Sequence, residues 1–208
     1  MDEATLRAFI AIDIPQHIKT FLESFVVEAQ KHIYNCRFVN IDNMHLTLKF
    51  LGNDVKESLI PDISLAIEEV AKSTEPFDIC LGDIGTFPIK GRPRVFYVGL
   101  SQGEEQVTNL AINLQSALQS LGFEKDDSFQ PHLTLARRKN KSPSEQQRID
   151  ERGIWRKLFA DYKAKVGNEV PLCWQVNEVL LIKSELFREG PIYSVLTTHQ
   201  LNPDNCVK

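Results

Sequence analysis

One tetrapeptide occurs twice in this 208-residue chain. His45-Leu46-Thr47-Leu48 returns letter for letter as His132-Leu133-Thr134-Leu135. From composition, a second copy arises by chance with a probability of about 0.2%. Side chains alternate between the faces of an extended strand, so His45 and Thr47 share one face while Leu46 and Leu48 share the other. The same holds for His132 and Thr134 against Leu133 and Leu135. If each strand buries its leucines under helices, the opposite faces bring two imidazoles and two hydroxyls to one cavity. A neutral imidazole takes a proton from water and an imidazolium gives one to a leaving oxygen, and both forms exist near neutral pH. Hydroxyls donate to the non-bridging oxygens of a phosphate. In-line displacement at phosphorus needs a base on one side and an acid on the other, which two such strands supply across a groove.

A metal centre fits these residues poorly. Zinc takes three or four ligands, commonly with Cys, Asp or Glu beside His, and no carboxylate recurs at a fixed offset from both motifs. No metal and no cofactor are expected. His17, His32 and His199 lack the repeated context and read as structural.

The elements that position the motifs follow from periodicity. Strands are expected at Leu6–Ile14, Arg37–Asn40, Met44–Leu51, Phe77–Leu81, Ile84–Phe87, Val95–Leu100, Pro131–Arg137, Trp174–Lys183 and Ile192–Leu201. Helices are expected at Gln16–Ile33, Val55–Lys72, Glu104–Leu121 and Gln146–Val166. The last is announced by Ser142-Pro143-Ser144-Glu145, a cap, a first-turn proline and a glutamate reaching back. Interspersed elements with short turns between strand pairs predict an α+β fold with mainly antiparallel sheets and outer helices. The turn Phe187–Pro191 predicts a hairpin.

Composition narrows the partners. Hydrophobic residues are 42% and charged residues 25%, ordinary for a globular chain with a real core. The net charge is -4, whereas a protein gripping duplex DNA through many phosphates carries a basic surface. Contact with a few nucleotides is expected, with no duplex DNA. Apolar runs are too short for a membrane span, and a monomer is expected. Cys36, Cys80, Cys173 and Cys206 form no CxxC pair and read as buried or free thiols. A reducing, cytoplasmic setting follows as the simplest expectation.

With LRAFIAIDIP at the start, NMHLTLKFLGN, GTFPIKGRPRVFYVGL, LGFEKDDSFQPHLTLARRK and the late VNEVLLIKSEL, the chain resembles the two-histidine phosphoesterases. It is most similar to the RNA 2',3'-cyclic phosphodiesterases, also called the 2'-5' RNA ligase family. The resemblance covers nearly the whole chain. It implies one two-lobed domain over residues 1–208, duplicated and pseudo-twofold symmetric, with one HxTx motif per lobe facing a central groove. It implies metal-independent hydrolysis of RNA 2',3'-cyclic phosphate ends to 2'-phosphomonoesters, with RNA ends or small cyclic nucleotides as partners. By family role His45 is the proton donor to the leaving 3'-oxygen and His132 the base. By the same resemblance Thr47 and Thr134 would donate hydrogen bonds to the phosphate oxygens, and Arg137 would contact the phosphate, the alternative being a solvated arginine beside Arg138 and Lys139. Strict alternation, however, puts Arg137 on the face opposite His132, so the strand must end or bulge before it. Arg92 and Arg94 are read as a basic loop or a backbone grip, and Tyr97 or Phe50 as a base-stacking aromatic. Joining tRNA halves through a 2'-5' bond, or action on another cyclic or 2'-5'-linked nucleotide, remains open from sequence, as does a non-enzymatic nucleotide-binding role.

Overall fold

The computed structural model describes residues 3–126, 128–139, 150–166 and 171–202. Its strands are β1 (Thr5–Asp13), β2 (Cys36–Phe38), β3 (His45–Lys56), β4 (Phe77–Phe87), β5 (Val95–Gln102), β6 (Leu133–Arg138), β7 (Cys173–Val176), β8 (Glu178–Leu186) and β9 (Pro191–Gln200). Its helices are α1 (Gln16–Gln30), α2 (Ile60–Lys72), α3 (Glu104–Leu118) and α4 (Glu151–Val166). The expected helix start at Ser142–Glu145 lies outside the described residues.

The strands run in the order β7-β4-β5-β6-β3-β1-β8-β9, with β2 added to β6. All pairings are antiparallel, so the α+β class with mainly antiparallel pairing holds. The two halves are not separate sheets. They join through the pair Leu46↔Leu133, where β3 and β6 meet before diverging. Each half places its motif strand at this junction and stacks three further strands outward from it.

Alternation decides which face is which. On β1, Leu6, Ala8, Ile10 and Ile12 enter the main core with Leu46, Leu48, Leu133 and Leu135 and the apolar residues of the helices. Phe9 and Ala11 point the other way and join Leu180, Ile182 and Tyr193 in a small second cluster. The helix layer thus covers one face, and the groove with its own apolar floor lies on the other.

Several boundaries differ from expectation for identifiable reasons. Strand β3 continues through Lys56 because Val55 and Lys56 pair with Leu6 and Thr5, which delays α2 to Ile60. The single strand expected at Trp174–Lys183 is two. Residues 173–176 pair with β4 at one edge of the sheet, and the chain then crosses at Asn177 to pair with β1 in the other half. The cysteine expectation is also corrected: Cys80 and Cys173, opposite one another on β4 and β7, form a disulfide. That bond withdraws the cysteine-based reason for a reducing compartment. Cys36 is free and buried, while Cys206 lies outside the described residues. Among the described residues, no helix is long and apolar enough to cross a membrane.

Candidate active site

The antiparallel step on either side of Leu46↔Leu133 places His45 across from Thr134 and Thr47 across from His132. All four side chains emerge on the groove face, because their leucine neighbours are at most 1% exposed in the core. The two histidines are then diagonal neighbours, with Cβ atoms about 7–8 Å apart. That spacing admits a phosphate between the ring ends.

Each imidazole is held by its own backbone. His45 Nδ1 lies 2.9 Å from the Asn43 carbonyl oxygen, and His132 Nδ1 lies 2.7 Å from that of Gln130. A carbonyl only accepts, so Nδ1 carries the hydrogen and donates it, leaving Nε2 of both rings for a ligand. The sequence offers Asn43 and Gln130, each two residues before a motif histidine, but the backbone carbonyl is the partner and no side-chain pattern signals it.

Aromatic rings wall each histidine. Phe9 stacks on His45 at 4.5 Å and Tyr193 meets it edge-on at 5.3 Å. In the other half, Phe87 and Tyr97 approach His132 at 5.0 and 5.2 Å. The Tyr97 ring fills the space where Gly85 lacks a side chain. Of these rings only Tyr97 is expected from the sequence. Phe9, Phe87 and Tyr193 stand on strands remote from both motifs, and only the register brings them in.

Burial sets the electrostatics. It pushes both imidazoles below their ordinary pKa, because the charged form loses hydration. For His45 the Asn43 carbonyl and Asp13 oppose that shift while His132 adds to it. For His132 the Gln130 carbonyl opposes it and Arg137 adds to it.

A pair of bulges resolves the position of Arg137. On β6, Tyr97↔Thr134 is followed by Phe96↔Ala136, so Leu135 is an extra residue. Leu135 and Ala136 both go to the core, and Arg137 returns to the groove face. On β3, Ala11↔Thr47 is followed by Ile10↔Lys49, so Leu48 is the matching extra residue. Phe50 then takes the place corresponding to Arg137, and Arg7 lies over its ring at 4.3 Å. Arg137 has Arg37 directly opposite on β2. The neighbouring Arg138 turns away, pairing with Glu151 and donating to the Pro93 carbonyl. Arg92 and Arg94 are exposed on the loop between β4 and β5. The Arg94 carbonyl accepts from the Arg138 amide, which places this loop beside the far end of β6 from His132.

The other histidines stay apart. His199 is buried between Ser64 and Thr197, His32 pairs with Glu28 at the surface, and His17 is exposed. Among the described residues, no group of three His, Cys, Asp or Glu side chains is arranged to hold a metal ion.

The chain resembles known proteins in sequence and in fold. Residues 15–186 match the model of the 2'-5' RNA ligase superfamily. The chain is 31% identical over 191 residues to the RNA 2',3'-cyclic phosphodiesterase of Archaeoglobus fulgidus, covering 92% of this chain and 98% of that one. It is equally similar, at 31% over 191 residues with the same coverage, to the protein of that name from Methanocaldococcus jannaschii. Among solved structures, TT0787 of Thermus thermophilus superposes with a TM-score of 0.73 at 28% identity, over 95% of this chain and 98% of that one. LigT of E. coli in its apo form superposes with a TM-score of 0.68 at 25% identity, over 96% and 99%. The chain belongs to the 2'-5' RNA ligase superfamily.

Proposed function

We propose that the protein is an RNA 2',3'-cyclic phosphodiesterase, opening the cyclic phosphate at an RNA end to a 2'-phosphomonoester without metal. The observation that carries this reading is the pair of imidazoles on one groove face, each with Nδ1 committed to a backbone carbonyl and Nε2 left to the ligand. The shared name of the relatives from A. fulgidus and M. jannaschii supports it, and the complex of E. coli LigT with 3'-AMP supports a nucleotide as the kind of ligand.

In the proposed reaction His132 Nε2 takes a proton from water as the water oxygen bonds to phosphorus. The bond from phosphorus to the ribose 3'-oxygen breaks, and protonated His45 gives its Nε2 proton to that oxygen. One water is consumed and the 2'-phosphomonoester remains. Thr47 and Thr134 donate to the non-bridging oxygens, and Arg137 offsets the charge that gathers there. We read the chain as one two-lobed domain with a motif in each lobe, acting as a monomer.

The test is a substrate panel: nucleoside 2',3'-cyclic phosphates, RNA with a cyclic-phosphate end, 2'-5' oligoadenylate, and cleaved tRNA halves. Turnover of the first two is expected. Turnover of the oligoadenylate alone contradicts the reading. Joined tRNA as the main product assigns the same histidines to ligation, with a 5'-hydroxyl in place of water.

A further inference from the structure

Arg7, Phe9, Ala11 and Asp13 form the groove-side row of β1, since the residues between them enter the core. Ala11 sits opposite Thr47. Arg7 is four residues further along, its backbone about 13 Å away by strand rise. Its guanidinium rests on the Phe50 ring, and one Nη donates to Asn53. Its Nε is buried with no partner. Among the described residues, neither Arg7 nor Arg137 forms an ion pair with a carboxylate.

Tyr193 packs beside Phe9, the groove-side neighbour of Arg7 on β1. Its ring packs edge-on against His45 and Phe9. Burial pushes the pKa of the Tyr193 hydroxyl up, and the positive charges of Arg7 and Arg137 oppose that shift in part. No hydrogen bond to the Tyr193 hydroxyl is found among the described residues. Two guanidinium groups without carboxylates and one hydroxyl without a hydrogen-bond partner, all on the groove face, are a donor set for anions.

We infer that Arg7 and Tyr193, on either side of Phe9, form a second phosphate subsite that holds the internucleotide phosphodiester one residue 5' to the cyclic end of an RNA strand. The inference rests on the cyclic-phosphate reading and names its substrate class as an RNA strand instead of a mononucleotide. Phe50 is 43% exposed next to Arg7 and offers a ring for the adjoining nucleoside, which favours a diester over a bare terminal phosphate. With a net charge of -4, the chain concentrates its cations for one or two phosphates and not for a long track.

Three substrates separate the possibilities: adenosine 2',3'-cyclic phosphate, the same nucleotide carrying a 5'-phosphate, and the dinucleotide ApA with a 2',3'-cyclic end. Wild-type kcat/KM is expected to be at least about tenfold higher for the dinucleotide than for the bare nucleoside cyclic phosphate, as one charged hydrogen bond supplies. That preference should weaken as salt rises. In Arg7→Gln it should shrink to within about threefold, and Tyr193→Phe should lower it less. A wild-type ratio near one overturns the subsite, whether or not Arg7→Gln folds. So does an equal loss on all three substrates in Arg7→Gln, and so does a full enhancement from the terminal 5'-phosphate alone. No turnover of any of the three overturns the cyclic-phosphate reading itself, a result distinct from these.

Discussion

Leu46 and Leu133 are direct cross-strand partners, and this pair sets His45 and His132 diagonally across the groove. Because both imidazoles then address one phosphate, their contributions are not independent. Replacing either with alanine is expected to lower kcat at least a hundredfold, the usual scale of general acid–base catalysis. The double variant should be only modestly worse than the poorer single one. Single-turnover rates of the three folded variants check this, and full activity in either single variant contradicts it.

The pH dependence follows from burial. Both imidazoles titrate below the ordinary value near 6.5 in the free protein. The base must be neutral, so activity falls as pH drops through the lowered pKa of His132. The acid must be charged, so activity falls as pH rises through the lowered pKa of His45. The optimum of kcat/KM is therefore expected below about pH 6.5. A bound phosphate between the rings favours their charged forms, so the optimum of kcat should lie at higher pH. A kcat/KM optimum well above 7 contradicts the account.

Arg137 carries a signature that a merely structural arginine would lack. Its charge helps hold the pKa of His132 down, so Arg137→Ala should move the acidic limb of the kcat/KM profile upward. It should also lower kcat/KM about tenfold to a hundredfold, the worth of a charged contact to phosphate. Arg137→Lys should restore the limb and only part of the rate, since lysine keeps the charge but not the fork. Unmoved limbs in the alanine variant contradict the assignment.

Gly85 is predicted to matter through Tyr97. A Cβ there would meet the Tyr97 side chain at 2.2 to 2.4 Å, so Gly85→Ala must displace the ring that walls His132. Overpacking of this kind costs about 1–3 kcal/mol, visible as a lower Tm. Adding Tyr97→Leu should recover most of the Tm but not the activity. An unchanged Tm in Gly85→Ala contradicts the packing described.

The motif residues are legible in the sequence because chemistry and strand period coincide there: His and Thr on one set of alternate positions, leucine on the other. The bulge before Arg137 is legible only as a condition. Alternation demands one, and it takes the pairing of Leu135 and Leu48 to locate two. What stays hidden is non-local. Phe9, Phe87 and Tyr193 reach the histidines from strands whose register no local pattern encodes. The split of 173–186 into β7 and β8 arises because one apolar run serves both halves of the structure. The Cys80–Cys173 bond is hidden for the same reason, since the two residues meet only when β4 and β7 pair.

The most direct test of the two-histidine account is the product formed from adenosine 2',3'-cyclic phosphate by chelator-treated protein in excess EDTA, resolved by chromatography against both isomers. Adenosine 2'-monophosphate, formed at a rate insensitive to the chelator and abolished in His45→Ala and His132→Ala, is the predicted result. Adenosine 3'-monophosphate, or activity that disappears with chelation and returns with added metal, would contradict it.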